Sequence, residues 1–339
     1  RQANRLWPVM KNLAPVRVGV IGTGSMGSNH ARVYSGLKDA KLIAVVDSDL
    51  SLARKVSNQV GGRPYCDWSE IVDLVDAVSV AVPSFQHAEV AVPLLEAGIH
   101  CLVEKPLAPS PTECEAIIGA SNSSGALLMV GHIERFNPAV QALSSLLDGS
   151  PEHIFAIEAS RRSALSARIS DVDVVTDLMI HDLDVITYLL GEEVVQIEAR
   201  SPPGPSGNSG DFASAMLTFG SGKLACLTAS RVTQNHVRTL QVTTENRLLA
   251  LDYSSQELLI CRQGRLAALD GQTIGGDFVL DLRTERVMIQ HQEPLVRELS
   301  AFLNAIRHDE ASPVSGRTAL DVMDLVWTIR KQIAQAGAK

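Results

Sequence analysis

The sequence predicts an α/β domain with a doubly wound parallel sheet, followed by an α+β domain with a mostly antiparallel open sheet. From residue 16 to about residue 136, short β-branched apolar runs alternate with amphipathic helical stretches, which is typical of a parallel sheet with crossover helices. After Pro151, strand-like segments follow one another with few helices between them, as in an antiparallel sheet. The length of 339 residues accommodates two such domains.

In the first half, strands are predicted where apolar β-branched residues cluster, and helices where apolar residues recur every three to four positions. The predicted strands are Val16–Ile21, Leu42–Val46, Ala77–Val82, Cys101–Val103 and Leu127–Val130. The predicted helices are Met26–Leu37, Leu50–Val60, Ala88–Ala97 and Thr112–Ser121. Each β-α-β unit then has the length that a crossover connection needs.

In the second half, strands dominate and three helices are predicted. The strands are Ile154–Ser160, Val194–Ala199, Phe212–Phe219, Lys223–Ala229, Leu240–Thr244, Leu248–Leu251 and Glu257–Cys261. The helices are Val175–Leu190, which stops at Gly191, and the two that close the chain, Glu293–Arg307 and Ala319–Ala336. The Pro/Gly/Ser-rich stretch Ser201–Gly210 is expected to be an exposed, flexible loop.

Composition and charge exclude several classes of protein. Hydrophobic residues make up 45% and charged residues 20% of the chain, which is ordinary globular usage and unlike disordered or fibrous chains. The net charge is −8 with scattered basic residues, so we expect no nucleic-acid partner. Neither an apolar run of roughly 20 residues nor a signal-peptide core is found, so we expect no membrane partner and a cytoplasmic location.

The cysteines also bear on location and on metals. The 5 cysteines are Cys66, Cys101, Cys114, Cys226 and Cys261. They stand singly, without a CxxC pair, which favours reduced thiols over a disulfide framework and gives no support to a structural zinc site. We therefore predict no metal.

The strongest local motif is a GxGxxG turn between the first strand and the first helix. Its first glycine makes the tight turn, its second lets a pyrophosphate approach the backbone, and its third lets helix and strand pack closely. Asp47 ends the second strand, where an acid meets the ribose hydroxyls and repels a 2′-phosphate. We therefore predict a Rossmann domain that binds NAD, with NADP as the alternative. The predicted contacts in the turn are Gly22, Thr23, Gly24, Ser25, Met26 and Gly27.

The sequence predicts three parts of the chain, one of which contains this motif. Residues 1–14 form an N-terminal extension, residues 15–135 the dinucleotide-binding domain, and residues 136–339 the α+β domain for substrate binding and oligomerisation. The last helices are allowed to pack back on the first domain.

Two further strand ends carry polar residues that are expected to border the same crevice. Ligands in doubly wound sheets lie at the carboxyl ends of the strands. Pro83, Ser84 and His87 follow one strand, and His87 is either a helix-start histidine or a cofactor contact. Glu104 and Lys105 follow the next strand, where Lys105 is either a solvated surface residue or a donor to a substrate oxygen.

A third group of residues lies on the helix predicted in the second domain. In an α-helix, Asp177 and His181 share one face because they are four residues apart, and Asp184 follows three residues later. A carboxylate one turn from an imidazole orients the ring that a general base needs. The pattern alone leaves open an ordinary acid and histidine pair at a domain boundary, and it disfavours zinc because no second histidine is near.

Together, the GxGxxG turn, the EKP tripeptide and the DxxxHDxD helix resemble the Gfo/Idh/MocA oxidoreductase family, and the resemblance extends from Val16 to Ala336. It implies that Lys105 binds substrate and relays protons, that His181 is the catalytic base and that Asp177 is its partner. It also implies that Pro83 and His87 border the nicotinamide and that Glu104 lies on the ribose side of the cofactor. The expected activity is hydride transfer from a sugar hydroxyl carbon to NAD(P).

Within that family, the segment GHIERFNPAV and the DxxxHDxD helix resemble enzymes that oxidise the 3-hydroxyl of UDP-N-acetylhexosamines. The resemblance suggests that Arg135, Asn137, Arg161 and Arg162 supply donors to a diphosphate or sugar, although arginines of this kind are as often structural. Asp173 departs from that subgroup, which usually has a small residue there.

Three other readings remain open from the sequence. They are a dehydrogenase of a free sugar or inositol, an enzyme that cleaves glycosides while recycling bound NAD, and a non-catalytic regulator that responds to a dinucleotide. For the enzymes the expected partner is a small-molecule substrate, a sugar or sugar nucleotide, whereas the regulator would bind a protein partner. In the strands ASAMLTF and KLACLTA, apolar residues occur on both faces, because alternate residues of a strand point to opposite sides of the sheet. We therefore also expect a homodimer or homotetramer that buries the second face of their sheet.

Overall fold

The computed structural model describes residues 14–150, 152–164, 172–203, 210–268 and 278–337. The predicted N-terminal extension lies outside these residues apart from residue 14, and so does most of the Ser201–Gly210 loop. The chain divides into two compact units. Unit 1 comprises the residues up to Glu104 together with Ala108–Val130 and Leu299–Ser315, and unit 2 comprises Lys105–Leu107, Gly131–Glu298 and the residues from Gly316 on.

These units differ from the predicted domains at three places. Lys105–Leu107 is counted with unit 2, the break follows Val130 and not residue 135, and Leu299–Ser315 is counted with unit 1. Within unit 1, the Val130 amide donates to the Val314 carbonyl at 3.0 Å, which ties this late segment to the last strand of the first sheet.

Unit 1 contains a six-stranded sheet in the order β3-β2-β1-β4-β5-β6. The strands are β1 Val16–Ile21, β2 Ala40–Val46, β3 Arg63–Tyr65, β4 Ala77–Val80, β5 His100–Glu104 and β6 Leu128–Gly131. The helices are α1 Ser25–Gly36, α2 Leu50–Val60, α3 His87–Glu96 and α4 Pro111–Ser124. β1 pairs in parallel with both β2 and β4, so the winding direction reverses beside β1, and a crevice opens at the carboxyl ends of such strands.

Unit 2 contains an eight-stranded sheet in the order β14-β13-β12-β11-β7-β10-β9-β8. The strands are β7 Ile154–Arg162, β8 Val194–Arg200, β9 Phe212–Phe219, β10 Leu224–Ser230, β11 Val237–Thr244, β12 Leu248–Asp252, β13 Glu257–Ala268 and β14 Phe278–Arg286. Its helices are α5 Pro138–Leu147, α6 Ile180–Leu190 and α8 Gly316–Gly337, while α7 Pro294–His308 begins in the range counted with unit 2 and ends in the range counted with unit 1. Its strand pairs are antiparallel except β7 with β10, so the predicted fold class is confirmed for both sheets.

One face of the second sheet carries the core. Ile157, Leu217 and Leu240 point from the sheet into a cluster that also contains residues of α5, α6 and α8, such as Leu183 and Val326. On the other face of the sheet, Met216 and Leu224 are more than one-third exposed. Within the described residues of the single chain, therefore, β9 and β10 are covered on one face, and the burial of their other face by a second copy stays a prediction.

The sequence missed three elements, which are β3, β14 and α5. The signal for α5 was present, because Asn137 is the N-cap, accepting a hydrogen bond from the Ala139 amide at 3.0 Å, and Pro138 occupies the first helical position. β3 has only three residues, too few to show a period. Among the described helices, none combines the length and hydropathy needed to cross a membrane.

The packing of α1 against β1 generates a test of the predicted role of Gly27. A Cβ at Gly27 would lie 1.7 Å from the Gly22 carbonyl oxygen, whereas a Cβ at Gly36 on the same helix meets nothing within 4 Å. We expect Gly27→Ala to lower the free energy of unfolding by about 1–3 kcal/mol, because the helix must move away from the strand. The thermal unfolding midpoint measures this loss.

Gly36→Ala is the matched control, since it makes the same chemical change on the same helix. It should leave the unfolding midpoint unchanged or raise it, because alanine favours helix by about 0.5–1 kcal/mol over glycine. Equal midpoints for the two variants would contradict the role assigned to Gly27.

Candidate functional site

The glycine-rich turn of unit 1 has the geometry of a phosphate cradle. Gly22 has φ +89°, and a Cβ there would lie 2.6 Å from the Ala81 carbonyl oxygen, so the tight turn requires glycine. At Gly24, by contrast, a Cβ would meet nothing within 4 Å. Gly24 is the N-cap of α1 and provides no side-chain cap, so the first helical amides remain available to an anion. These residues fit a dinucleotide pyrophosphate.

Asp47 is fixed at the end of β2 by hydrogen bonds within unit 1. Its Oδ2 accepts from the Thr23 amide at 2.8 Å and from Thr23 Oγ1 at 2.6 Å, and its Oδ1 accepts from the Asp49 amide at 3.0 Å. The carboxylate is thus oriented at the edge of the turn, where the ribose of a dinucleotide is bound in this fold.

A cleft of about 540 Å³ lies beside this turn. The predicted contacts that line it are Gly22, Thr23, Gly24, Ser25, Met26, Asp47 and Pro83. The sequence analysis missed other lining residues, among them Ser48, Cys66, Trp68, Gln86, Glu89 and Val90. The only signal for them was their position after the ends of β2, β3 and β4. Ser84, His87 and Glu104 do not line the cleft, and Gly27 packs against Gly22 behind it.

His87 and Glu104 have partners within unit 1 that differ from the predicted cofactor contacts. His87 is 1% exposed, and its Nε2 lies 3.0 Å from the Val82 carbonyl oxygen, so the ring fixes the loop before α3. Glu104 is 7% exposed, and its Oε1 lies 2.9 Å from Nε2 of His30. Of the two readings of His87, the structure therefore supports the helix-start histidine.

The predicted catalytic residues Lys105, Asp177 and His181 all belong to unit 2. Lys105 Nζ donates to the Asp177 carbonyl oxygen at 2.9 Å and to Asp177 Oδ1 at 3.2 Å. The prediction that Asp177 orients His181 therefore needs correction, because its carboxylate is hydrogen-bonded to the lysine. Asp177 lies in Val175–Met179, a turn of π-helix, whereas His181 lies in the helix α6 that follows it.

Asp173, the residue that departs from the subgroup pattern, begins this π-helical turn. Its Oδ1 accepts from the amides of Val175 and Thr176, both at 3.0 Å, and its Oδ2 pairs with Arg330 Nε at 2.8 Å. The aspartate therefore has a capping role that the sequence analysis did not foresee.

His181 sits in an environment that keeps its imidazole neutral. Burial lowers the pKa of His181 well below its ordinary value of 6.5, and the nearby Lys105 and Arg161, followed by His132 and Arg238, lower it further. Its Nδ1 is buried and has no hydrogen-bond partner among the described residues. A neutral imidazole with an unpaired nitrogen is the form that accepts a proton.

Two of the residues predicted to be substrate donors, Arg135 and Arg161, are held in a buried polar network instead. Arg135 donates from Nε and Nη2 to Asp184, and Arg161 donates to Asp182 and Glu134, and all five residues are at most 9% exposed. These arginines neutralise buried carboxylates, so their guanidinium groups are already occupied within the protein.

Asn137 and Arg162 are likewise placed differently from the prediction. Asn137 is 2% exposed; it caps α5, and its amide nitrogen donates to the Tyr253 carbonyl oxygen at 3.1 Å. Arg162 follows Arg161 on β7, so its side chain points to the opposite face of the sheet. The resemblance had suggested substrate contacts because sequence alone cannot show which donors are already used.

Comparison with known proteins agrees with this architecture. Residues 16–132 match the model of the oxidoreductase family GFO_IDH_MocA, described as an NAD-binding Rossmann fold, and residues 158–249 match the GFO/IDH/MocA C-terminal domain. The chain belongs to the Gfo/Idh/MocA family. It is therefore an NAD-binding oxidoreductase, as the sequence predicted.

Two named relatives span most of the chain. The UDP-N-acetylglucosamine 3-dehydrogenase of Acidithiobacillus ferrooxidans is 33% identical over 86% of this chain and 88% of its own. A solved structure of that enzyme has a TM-score of 0.86 at 30% identity, covering 96% of this chain and 100% of the other. An inositol 2-dehydrogenase of Rhizobium meliloti is 25% identical over 94% of this chain and 97% of its own.

The buried network gives a test of its structural role. Arg161→Met would leave Glu134 and Asp182 buried without their guanidinium partner, and burial already raises the pKa of Asp182 against the opposing effect of Arg161. We expect a loss of about 3–5 kcal/mol in the free energy of unfolding, measured by chemical denaturation.

Arg262→Met serves as the control, because the pair between Arg262 and Glu285 lies in the same sheet but is exposed. Its removal should cost at most about 1 kcal/mol. A similar loss for both variants would show that the Arg161 network is no more important for stability than a surface ion pair.

Proposed function

We propose that the protein oxidises the 3-hydroxyl of a UDP-N-acetylhexosamine to a ketone with NAD. The observation that carries this proposal is the similarity to UDP-N-acetylglucosamine 3-dehydrogenase, which extends over 86% of the chain in sequence and 96% in structure. The arrangement of Lys105 beside Asp177, and of a neutral His181 in the same unit, supplies the groups that oxidation of an alcohol requires.

His181 is the proposed general base, which removes the hydroxyl proton while the adjacent carbon loses hydride. Its lowered pKa keeps the imidazole unprotonated at neutral pH, so it can accept that proton. Lys105 is proposed to hold the substrate oxygen and to stabilise the negative charge that develops there. Asp177 positions the lysine ammonium through the hydrogen bond at 3.2 Å, a role that replaces the predicted one toward His181.

When bound, NAD supplies the hydride acceptor. The residues proposed to hold it are those of the unit 1 cleft, with the amides of the glycine turn at the pyrophosphate and Asp47 at the ribose. NAD is proposed over NADP because a 2′-phosphate would meet the fixed carboxylate of Asp47.

Oxidation of an inositol is the second candidate. Several relatives named inositol 2-dehydrogenase support it, but the one from Saccharopolyspora erythraea aligns over only 54% of this chain, and the one from Rhizobium meliloti, which aligns over 94%, is only 25% identical. The sugar nucleotide is therefore the first choice, and the assay below includes free inositols.

We also propose a homodimer or homotetramer formed through the open face of the second sheet. On that face Met216 and Leu224 are exposed next to the exposed Cys226, and apolar side chains in water favour association. The cytoplasm is the proposed compartment, because all five cysteines are free thiols.

The first experiment follows reduced nicotinamide while the purified protein is incubated with NAD or NADP and with UDP-N-acetylglucosamine, its uronic acid, or free inositols. We expect a UDP-linked ketone with NAD, identified by mass spectrometry. His181→Ala and Lys105→Ala should each lower kcat/KM by about 10²-fold or more, because a general base and an oxyanion donor contribute on that scale.

His153→Ala and Lys223→Ala are the matched controls. His153 is exposed, and Lys223 pairs with Glu192, so neither belongs to the proposed site and both variants should keep wild-type activity. If inositol is the only tested substrate that reduces NAD, the substrate is an inositol and not a sugar nucleotide. Unchanged turnover in His181→Ala would contradict the role of His181 as the general base.

The low pKa of His181 predicts the pH dependence of the reaction. Since the base works only when neutral, the acid limb of kcat/KM should lie well below pH 6.5. Replacing Lys105 by Met removes a positive charge, favours the protonated imidazole and raises the pKa of His181. The acid limb of the residual activity should therefore move to higher pH.

Lys223→Met is the control, and its acid limb should coincide with that of the wild type. An acid limb at or above pH 6.5 in the wild type would contradict the environment described for His181.

A further inference from the structure

Arg238 is a half-buried cation whose side chain forms no hydrogen bond or ion pair with any of the described residues. This sets it apart from Arg135 and Arg161, whose guanidinium groups are occupied by carboxylates. A partly desolvated guanidinium carries five N–H donors, and leaving them without acceptors is costly. The sequence analysis did not single out this residue.

The register of the sheet shows where Arg238 points. On β11 it lies directly opposite Arg161 of β7, and residues paired in this way project from the same face. Leu240 and Val242, at the same parity on β11, are buried in the core of unit 2, so this is the face that carries the core. Arg238 therefore lies on the same face of the sheet as the core, near the first residue of β11.

Two guanidinium groups are thus neighbours across β7 and β11, but only one of them is neutralised by direct contact. Glu134 and Asp182 hydrogen-bond to Arg161, and Asp177 hydrogen-bonds to Lys105. Burial and then the charge of Arg161 lower the pKa of Arg238 below its ordinary value, and these three carboxylates oppose that shift without reversing it. Every acid near Arg238 already has a closer cationic partner.

Arg238 also lies near the proposed base, since its charge is one of those that lower the pKa of His181. An unpaired guanidinium beside a neutral imidazole has the properties of a ligand group, because it can bind two oxygens of one phosphate or carboxylate at once.

We propose that Arg238 binds an anionic oxygen of the substrate and so selects charged sugars over neutral ones. This rests on the proposed function, in which the substrate is a sugar nucleotide. The anionic oxygen belongs either to the diphosphate or to the carboxylate of a uronic acid, and both are recognised by the same bidentate chemistry.

The test compares Arg238→Met and Arg238→Lys with the wild type and with Arg262→Met, which removes an arginine from an exposed pair in the same sheet. KM is measured for UDP-N-acetylglucosamine, for its uronic acid and for NAD, and Kd for UDP is measured by calorimetry. Arg238→Met should raise the KM of the anionic substrate about tenfold or more, the size expected for a lost charged hydrogen bond, and leave the KM of NAD unchanged.

The pattern of losses identifies the source of the anion. If Arg238→Met binds UDP more weakly, the anion that Arg238 binds is the diphosphate. If only the KM of the uronic acid rises, the anion is the carboxylate. Either result supports the proposal. Arg238→Lys keeps the charge without the planar fork and should fall between wild type and Arg238→Met.

Two further readouts separate a ligand role from a structural one. Because Arg238 has no partner to lose, Arg238→Met should keep or raise the thermal midpoint, and the acid limb of its kcat/KM should move to higher pH as the pKa of His181 rises. Unchanged KM and Kd values for every anionic probe, or a lowered midpoint with unchanged KM, would overturn the proposal.

Failure of the proposed function is distinguishable from failure of this inference. If the wild type oxidises neither sugar nucleotide but binds UDP in a manner that requires Arg238, the substrate assignment fails and the anion site stands. If the wild type neither turns over nor binds any of these anions, both are wrong.

Discussion

The compensation of buried charge in unit 2 is the constraint on which the candidate site depends. α6 carries Asp182 and Asp184 into the interior, at 2% and 1% exposure, and the helix is stable there only because Arg161 and Arg135 meet these carboxylates. The cations come from β7 and from the turn after β6, so the ion pairs fix the helix against the sheet. His181, which lies between Ile180 and Asp182, takes its position from that attachment.

The same distribution of charge determines the chemistry of the site. Because the carboxylates are used by arginines and by Lys105, none of them is hydrogen-bonded to His181, and the imidazole remains among cations that keep it neutral. Arg238 is the member of this group without a direct partner among the described residues. The proposed base, the lysine beside Asp177 and the unpaired guanidinium therefore depend on one arrangement of charges, which a single rearranged ion pair would alter.

In unit 1 the corresponding constraint is steric. The carbonyl oxygen of Gly22 leaves no room for a Cβ at Gly27, and Ala81 leaves none at Gly22, so backbone is brought close to backbone and the first amides of α1 face an open cleft. Thr23 then holds Asp47 beside them. Anion binding and ribose recognition here need few side chains, which is why a short motif carries so much of the prediction.

The sequence by itself determined the two sheets and the glycine turn with Asp47 after the second strand, because periodicity and backbone geometry are local properties. The motifs also singled out Lys105 and His181, whose roles stay predictions. Only the tertiary structure decided which partners the polar side chains have. Asp177 proved to be hydrogen-bonded to Lys105, and Arg135, Asn137, His87 and Glu104 proved to be occupied within the protein. Arg238 shows the converse, since its lack of a partner depends on how residues distant in sequence pair across β7 and β11.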